Sequence, residues 1–254
     1  MSIPMPPTAA QRAATRVRPV SGAVMHQSWR HLLFLHWTWD VSELQASLPP
    51  GLRVDTFDGQ AWVGAVPFWM DGVRPRFLPP VPGLSWFLEL NLRTYVHTQD
   101  GTPGVWFYSL DCNQRLAVQV ARRLFSLPYV DARQSGVRPT PQAPRTVFHS
   151  QREGSAANHF EYEPAGPASR AKPGSLEYFL AERYLLFSRK PNGSLYAGRV
   201  WHTPYDLAPA RVHRAEVALF ADNGFKPPLR PADHALFSPG VDVTIFPLRR
   251  LPTT

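Results

Sequence analysis

The sequence predicts an α+β domain with more strands than helices, built on a curved or closed antiparallel sheet with helices outside it. Three observations support this. Short runs of alternating apolar and polar residues recur along the chain, separated by Gly, Pro and Asn turns. Few stretches carry helical periodicity. The strand over 86–97 places Glu89, Asn91 and Arg93 on one face, and a closed sheet would turn that face into an interior cavity.

In order along the chain, residues 1–22 contain Arg12, Arg16 and Arg18, no acid, and prolines at 4, 6, 7 and 19. This composition predicts a disordered N-terminal extension, followed by one domain over 23–254. The apolar, aromatic run 30–39 opens the ordered chain near Trp29. Asp40 or Ser42 can cap a short helix that stops before Pro49-Pro50. Leu52–Phe57, the Asp58-Gly59 turn and residues 61–70 read as a hairpin, and the proline-rich stretch 74–82 reads as a loop. In the strand 86–97, Leu88, Leu90, Leu92 and Val96 share one face; Phe87, Glu89, Asn91, Arg93 and Tyr95 share the other. A second strand ending at Asp111-Cys112 feeds a helix over 113–127, with Leu116, Val120 and Leu124 on one stripe. Residues 145–151 and 158–163 can pair across Gly154–Ala157. Ser175 is the natural N-cap of a helix over 175–187. Asn192-Gly193 marks a hairpin turn, and strands are expected over 195–202, 213–220 and 241–248.

Composition excludes several classes. Hydrophobic residues make up 44% and charged residues 18%, the balance of a soluble globular protein. No apolar run approaches bilayer-spanning length. The single cysteine, Cys112, excludes an intramolecular disulfide and any multi-cysteine metal site, and it fits a reducing cytoplasm. The formal charge of +8 comes almost wholly from arginine, since Lys172, Lys190 and Lys226 are the three lysines. These arginines are scattered without a nucleic-acid-binding motif, so the charge alone argues weakly for a polyanionic partner. Neither metal nor nucleotide cofactor is indicated: no HExxH, Walker loop, dinucleotide fingerprint or GxSxG is present.

Several stretches carry a family resemblance: RHLLFLHW, LPPGLRVDTFDGQAWVGAVPF, FLELNLRTYV, GVWFYSLDCNQRLAVQVARRLFSLPY, GSLEYFLAERY and RVWHTPYDL. They occur in order from about Trp29 to Leu219, and the chain resembles the uncharacterised DUF2071 (YqjF-like) family. That family is placed in the acetoacetate-decarboxylase-like superfamily. The resemblance therefore implies an antiparallel β-barrel or cone with flanking helices, a small-molecule cavity and a homo-oligomer. Acetoacetate decarboxylase works through a Schiff-base lysine, in a motif of Leu-Asp, helix, then Phe-Pro-Lys-Lys. Here the comparable residues are Leu110-Asp111, the helix, then Leu127-Pro128-Tyr129-Val130. Tyr129 stands where the lysine is expected, and a phenol cannot form an iminium with a ketone. By the same resemblance Glu89 matches a glutamate of the decarboxylase cavity.

Each candidate residue has two readings. Glu89 and Arg93 are either an ion-paired polar strand face, or a proton-transfer group beside a carboxylate clamp, with Asn91 between them. Asp111 is either a helix cap or a ligand contact. Tyr129 is either a packing aromatic or a donor to a carbonyl or enolate oxygen. His202, beside Trp201, is either a structural hydrogen-bonding residue or a catalytic one. Cys112 reads as a packing residue, and the three lysines as solvent-exposed. Together these predict a protein that binds a small carbonyl- or carboxylate-bearing ligand and performs enolisation, hydration or decarboxylation without a Schiff base. The alternative is a non-enzymatic sensor or carrier using the same cavity.

Overall fold

A computed structural model describes residues 6–20 and 22–252. Helix α1 (Ala9–Thr15) precedes the long strand β1 (Met25–Trp39), helix α2 (Val41–Ser47), and strands β2 (Leu52–Val54) and β3 (Ala61–Pro75). Strands β4 (Phe87–Thr98) and β5 (Pro103–Cys112) lead into helix α3 (Arg115–Phe125). Next come β6 (Tyr129–Asp131), β7 (Arg133–Val137), β8 (Thr146–Gln151), β9 (Asn158–Pro164) and β10 (Ser169–Arg170). The chain ends with α4 (Leu176–Ala181), β11 (Leu185–Arg189), β12 (Leu195–His202), β13 (Asp206–Glu216), α5 (Leu219–Asp222) and β14 (His234–Arg250).

Seven strands close into a barrel in the order β1-β3-β4-β5-β11-β12-β14 and back to β1. All joints are antiparallel except β5–β11, which is a short parallel contact of Val105 with Leu186 and Trp106 with Phe187. Close approach at this joint depends on Gly104: a Cβ there would lie 2.6 Å from the Phe187 ring and 2.9 Å from the Leu185 carbonyl oxygen. Gly240 plays the matching part across from Arg30, where a Cβ would sit 2.2 Å from the Trp29 carbonyl oxygen.

Alternation decides which side chains enter the barrel. Along β1, Leu32 and Phe34 pack inward while Leu33, Leu35 and Trp37 pack outward. The outward side chains are not left in water. A branch of β13, β9, β8 and β7 leaves the barrel at β14 and folds back over it, burying Phe148, Phe160 and Tyr162 in the outer core cluster. Strand β4 is covered on both faces, and all twelve of its residues are buried. Ion pairs latch the branch to the barrel, Arg138 beside β7 to Asp71 of β3 and a more buried one at β5. Arg152, just after β8, holds the fully buried Asp111 of β5 through Nη2 at 2.7 Å and Nε at 3.0 Å.

Several expectations change in the folded chain. The stretch read as a disordered extension contains α1, closed by a capping box between Thr8 and Gln11. Arg12 of α1 binds both oxygens of Asp55 at 2.7 Å, and Arg183 takes the same carboxylate at 2.7 Å. Burial alone would raise the Asp55 carboxyl; the two guanidiniums outweigh it and hold it below its usual value. The predicted 52–70 hairpin does not form, because β2 pairs with β4. The predicted helix 175–187 stops at Ala181, and Leu185–Arg189 are drawn into the sheet between β5 and β12, a tertiary override of local propensity. Residues 219–220 lie in α5 and not in a strand. In α3, Leu116 is half-exposed while Val118 is buried; the side chains of Val120 and Leu124 lie outside the described residues. No helix among the described residues is long and apolar enough to cross a membrane.

The Asp111–Arg152 latch gives a stability prediction. Replacing one member of a buried pair leaves the other uncompensated, so Asp111→Ala should cost about 3–5 kcal/mol in urea denaturation. A loss below about 1 kcal/mol would show that the latch is dispensable.

Candidate functional site

The barrel encloses a cavity of about 320 Å³ whose walls are mostly apolar. Its mouth lies between the 75–84 loop and α3, where the lining residues Leu78, Val81, Leu84 and Leu116 are exposed. Its interior wall is formed by inward residues of β3, β4 and β5, among them Val66, Phe68 and Leu110. Polar groups concentrate on β4. Reading inward from Phe87 near the loop, the lining residues are Glu89, Asn91 and then Arg93, with about 7 Å between successive same-face positions.

Glu89 is 3% exposed and its carboxyl oxygens are shared between two donors. Tyr129 Oη donates to Oε2 at 2.7 Å, and Asn91 Nδ2 donates to Oε1 at 3.4 Å. Burial pushes the Glu89 carboxyl up to about 7, against those hydrogen bonds and a weak pull from Arg93. The Tyr129 phenol is pushed well above its usual value by burial and by the neighbouring Glu89, so it remains a donor. A carboxyl poised near neutrality beside a fixed donor can give or take a proton.

Arg93 is 7% exposed and forms no ion pair among the described residues. Its Nη2 donates long hydrogen bonds to Tyr95 Oη at 3.5 Å and to the Leu180 carbonyl at 3.4 Å, and its Nε has no partner. The Phe34 and Tyr95 rings lie 5.3 and 5.8 Å from the guanidinium carbon, contacts that partly offset the lost hydration of a cation. Tyr95 donates to Leu180 at 2.8 Å, so its oxygen accepts from His36 Nε2 at 2.7 Å and fixes that proton on Nε2. Burial lowers the His36 imidazole well below its usual range, with Arg93 adding to the effect. The ring fits because position 64 is glycine: a Cβ there would meet His36 at 3.0 Å.

Four of the six residues expected from the sequence therefore come together: Glu89, Asn91, Arg93 and Tyr129 line one cavity. Asp111 does not. It points to the outer side of the sheet and is occupied by Arg152, while the N-cap of α3 is Gln114; both readings of Asp111 are corrected. His202 also stands apart from the cavity lining, with Nδ1 2.8 Å from the Thr203 oxygen, Nε2 3.2 Å from the Arg183 oxygen, and its ring stacked on Tyr184. These contacts make His202 a packing and hydrogen-bonding residue. Cys112 is fully buried with its thiol pushed up to about 12 by burial, consistent with packing.

Sequence reasoning missed His36, Tyr95 as the partner of Arg93, and Arg183, which lines the cavity while gripping Asp55. Tyr95 was readable from its place on the Glu89 face; Arg183 was concealed within an expected helix. Lys172, Lys190 and Lys226 all lie away from the cavity lining, so no amine faces the ligand space among the described residues. No group of three or more His, Cys, Asp or Glu that could hold a metal ion occurs among the described residues.

The fold has counterparts among known proteins. Over 92% of both chains, this chain is similar to the enduracididine biosynthesis enzyme MppR complexed with pyruvate, with a TM-score of 0.66 and 15% identity. An acetoacetate decarboxylase-like enzyme from Sphingomonas wittichii RW1 gives a TM-score of 0.65 at 15% identity, covering 92% of this chain and 95% of that one. Acetoacetate decarboxylase from Legionella pneumophila gives 0.63 at 13% identity, over 93% and 91%. At these identities the likeness establishes the fold: an acetoacetate-decarboxylase-like barrel. In sequence, the uncharacterized protein YqjF of Bacillus subtilis is 39% identical over 228 residues, 89% of this chain and 92% of that one. Residues 26–242 match the family described as DUF2071, an uncharacterized conserved protein. The chain belongs to the DUF2071 family.

Proposed function

We propose that the cavity binds a small carboxylate- or carbonyl-bearing molecule and that Glu89 moves a proton on it. The carrying observation is Arg93, a buried cation without a carboxylate partner among the described residues, on the same cavity wall as a carboxyl poised near pH 7. A ligand carboxylate would supply the missing counter-charge through paired hydrogen bonds. Glu89 would remove a proton from the carbon next to a carbonyl and return it, and the Tyr129 hydroxyl would turn from Glu89 to the enolate oxygen. The neighbour complexed with pyruvate gives this ligand class a precedent on the same fold.

Proton transfer is favoured over decarboxylation on chemical grounds. A guanidinium that stabilises the carboxylate in the ground state opposes its departure as CO₂. A Schiff base is not part of the reading, since Tyr129 occupies the position where the amine was expected and the lysines lie elsewhere. The sensor or carrier reading would leave Glu89's raised carboxyl without a role.

The test is hydrogen–deuterium exchange at the carbon next to the carbonyl, followed by NMR across a panel of 2- and 3-keto acids, with affinity measured in parallel. Glu89→Gln should abolish exchange while leaving affinity within a few-fold. Arg93→Met should weaken carboxylate binding by about 10–100-fold, the worth of a charged hydrogen-bond pair. Unchanged exchange and affinity in both variants would overturn the proposal. Arg93→Met should also leave the fold as stable or more stable, because it removes an unpaired buried charge.

Glu89 also imposes a pH signature on stability. Its folded value of about 7 lies above its ordinary value of 4.5, so in that window the folded chain holds a proton the unfolded chain lacks. Stability therefore falls as pH rises from about 4.5 to 7, by about 3 kcal/mol in all, and stays lower above it. Glu89→Gln removes this loss. Its stability relative to the parent should rise by about that amount between pH 5 and pH 8 in denaturant titrations. A gap independent of pH would show that Glu89 titrates normally.

A further inference from the structure

We infer that the ligand is an amphipathic acid, a carboxylic or keto acid carrying an apolar chain, and not a three- or four-carbon acid alone. This rests on the reading of Arg93 as the carboxylate site and extends it to the rest of the cavity.

The first argument is volume. About 320 Å³ is at the lower end of pockets that enclose drug-sized ligands and corresponds to roughly ten water-sized groups. A three-carbon keto acid has six non-hydrogen atoms and would leave much of that space unfilled. The second is the distribution of polarity. From Phe87 inward, β4 presents Glu89, Asn91 and Arg93, so the cation lies deepest, while Val66, Phe68, Val105 and Phe107 line much of the remaining wall. Water filling so apolar a space would find few partners, whereas hydrocarbon is stabilised there.

The third argument is the mouth. Leu78, Val81, Leu84 and Leu116 line the cavity and remain exposed, at 58, 47, 42 and 54%. They make the exit as apolar as the interior. A short acid bound at Arg93 would reach none of them. A chain running from Arg93 past Asn91 would point along β4 toward the Glu89–Tyr129 pair and the apolar exit beyond it. An acid of about eight to ten carbons matches the volume.

The experiment is calorimetric titration of the intact protein with butanoate, hexanoate, octanoate and decanoate, with 1-octanol as the uncharged control. Each methylene moved from water into the cavity is worth about 0.8 kcal/mol, or about fourfold in affinity. Affinity should climb by about that factor per methylene up to octanoate and then level off. Arg93→Met should weaken all four acids and leave 1-octanol unchanged.

Two failures are distinguishable. If butanoate binds in an Arg93-dependent way and affinity is flat with chain length, the apolar-chain inference falls and the carboxylate site stands. If affinity rises with length equally for acids and alcohols and is untouched by Arg93→Met, the carboxylate site falls and the ligand is not an acid. Absence of binding by every acid overturns both.

Discussion

Strand β4 is covered on both faces, yet its inward face carries a carboxyl, an amide and a guanidinium. An outward carboxyl or guanidinium could keep its hydration; these cannot. Each must find a partner inside the barrel, change its protonation, or remain under-satisfied, and the three do different things. Glu89 shifts its proton equilibrium upward and shares its oxygens with Tyr129 and Asn91. Asn91 leaves its own carbonyl oxygen without a partner, and Arg93 leaves Nε without one. Unsatisfied groups of this kind are destabilising, by about 1–3 kcal/mol each when neutral and more when charged. A wall that holds a carboxyl raised toward neutrality and a cation with an unpartnered nitrogen is therefore costly to the fold.

The contrast with Arg183 and the half-buried Arg152 sharpens this. Arg183 is as buried as Arg93, but Asp55 receives one of its nitrogens and the Phe179 carbonyl another. Arg152 has Asp111 and Ser109. In both cases the chain supplies a carboxylate at hydrogen-bond distance, and those pairs join separate elements: α1 and the α4–β11 turn to the segment just after β2, and the outer branch to β5. Arg93 forms no such pair among the described residues. Its surroundings are two aromatic rings, a tyrosine hydroxyl and one carbonyl at long range. These hold the guanidinium in place without neutralising it.

Much of this was legible in the sequence because the period-two pattern of β4 is uninterrupted. Reading Phe87, Glu89, Asn91, Arg93 and Tyr95 as one face requires only alternation, and the packing of Leu88, Leu90, Leu92 and Val96 in the outer cluster confirms it. Tyr129 was reachable through the family motif, not through any local pattern. What could not be read was set by pairing at a distance. Asp111 sits in the opposite phase of β5, and its partner Arg152 lies 41 residues on, after a strand that returns over the barrel. The His36–Tyr95 contact joins strands 59 residues apart across a glycine that has no reason to stand out locally. The early end of α4 is likewise a demand of the sheet, since Leu185–Phe187 complete the barrel between β5 and β12.

Tyrosine at 129 and the protonation of Glu89 are one feature. An ammonium 2.7 Å from Glu89, where the Tyr129 hydroxyl lies, would pair with the carboxylate and pull it toward full ionisation. The resulting ion pair would neutralise the only carboxyl on that wall among the described residues. A phenol donates a hydrogen bond without adding charge, so burial prevails and the carboxyl stays poised near 7. A hydroxyl at 129 cannot form an iminium and leaves the neighbouring carboxyl raised toward neutrality. Arg93 is left as the cavity-lining cation without a carboxylate among the described residues.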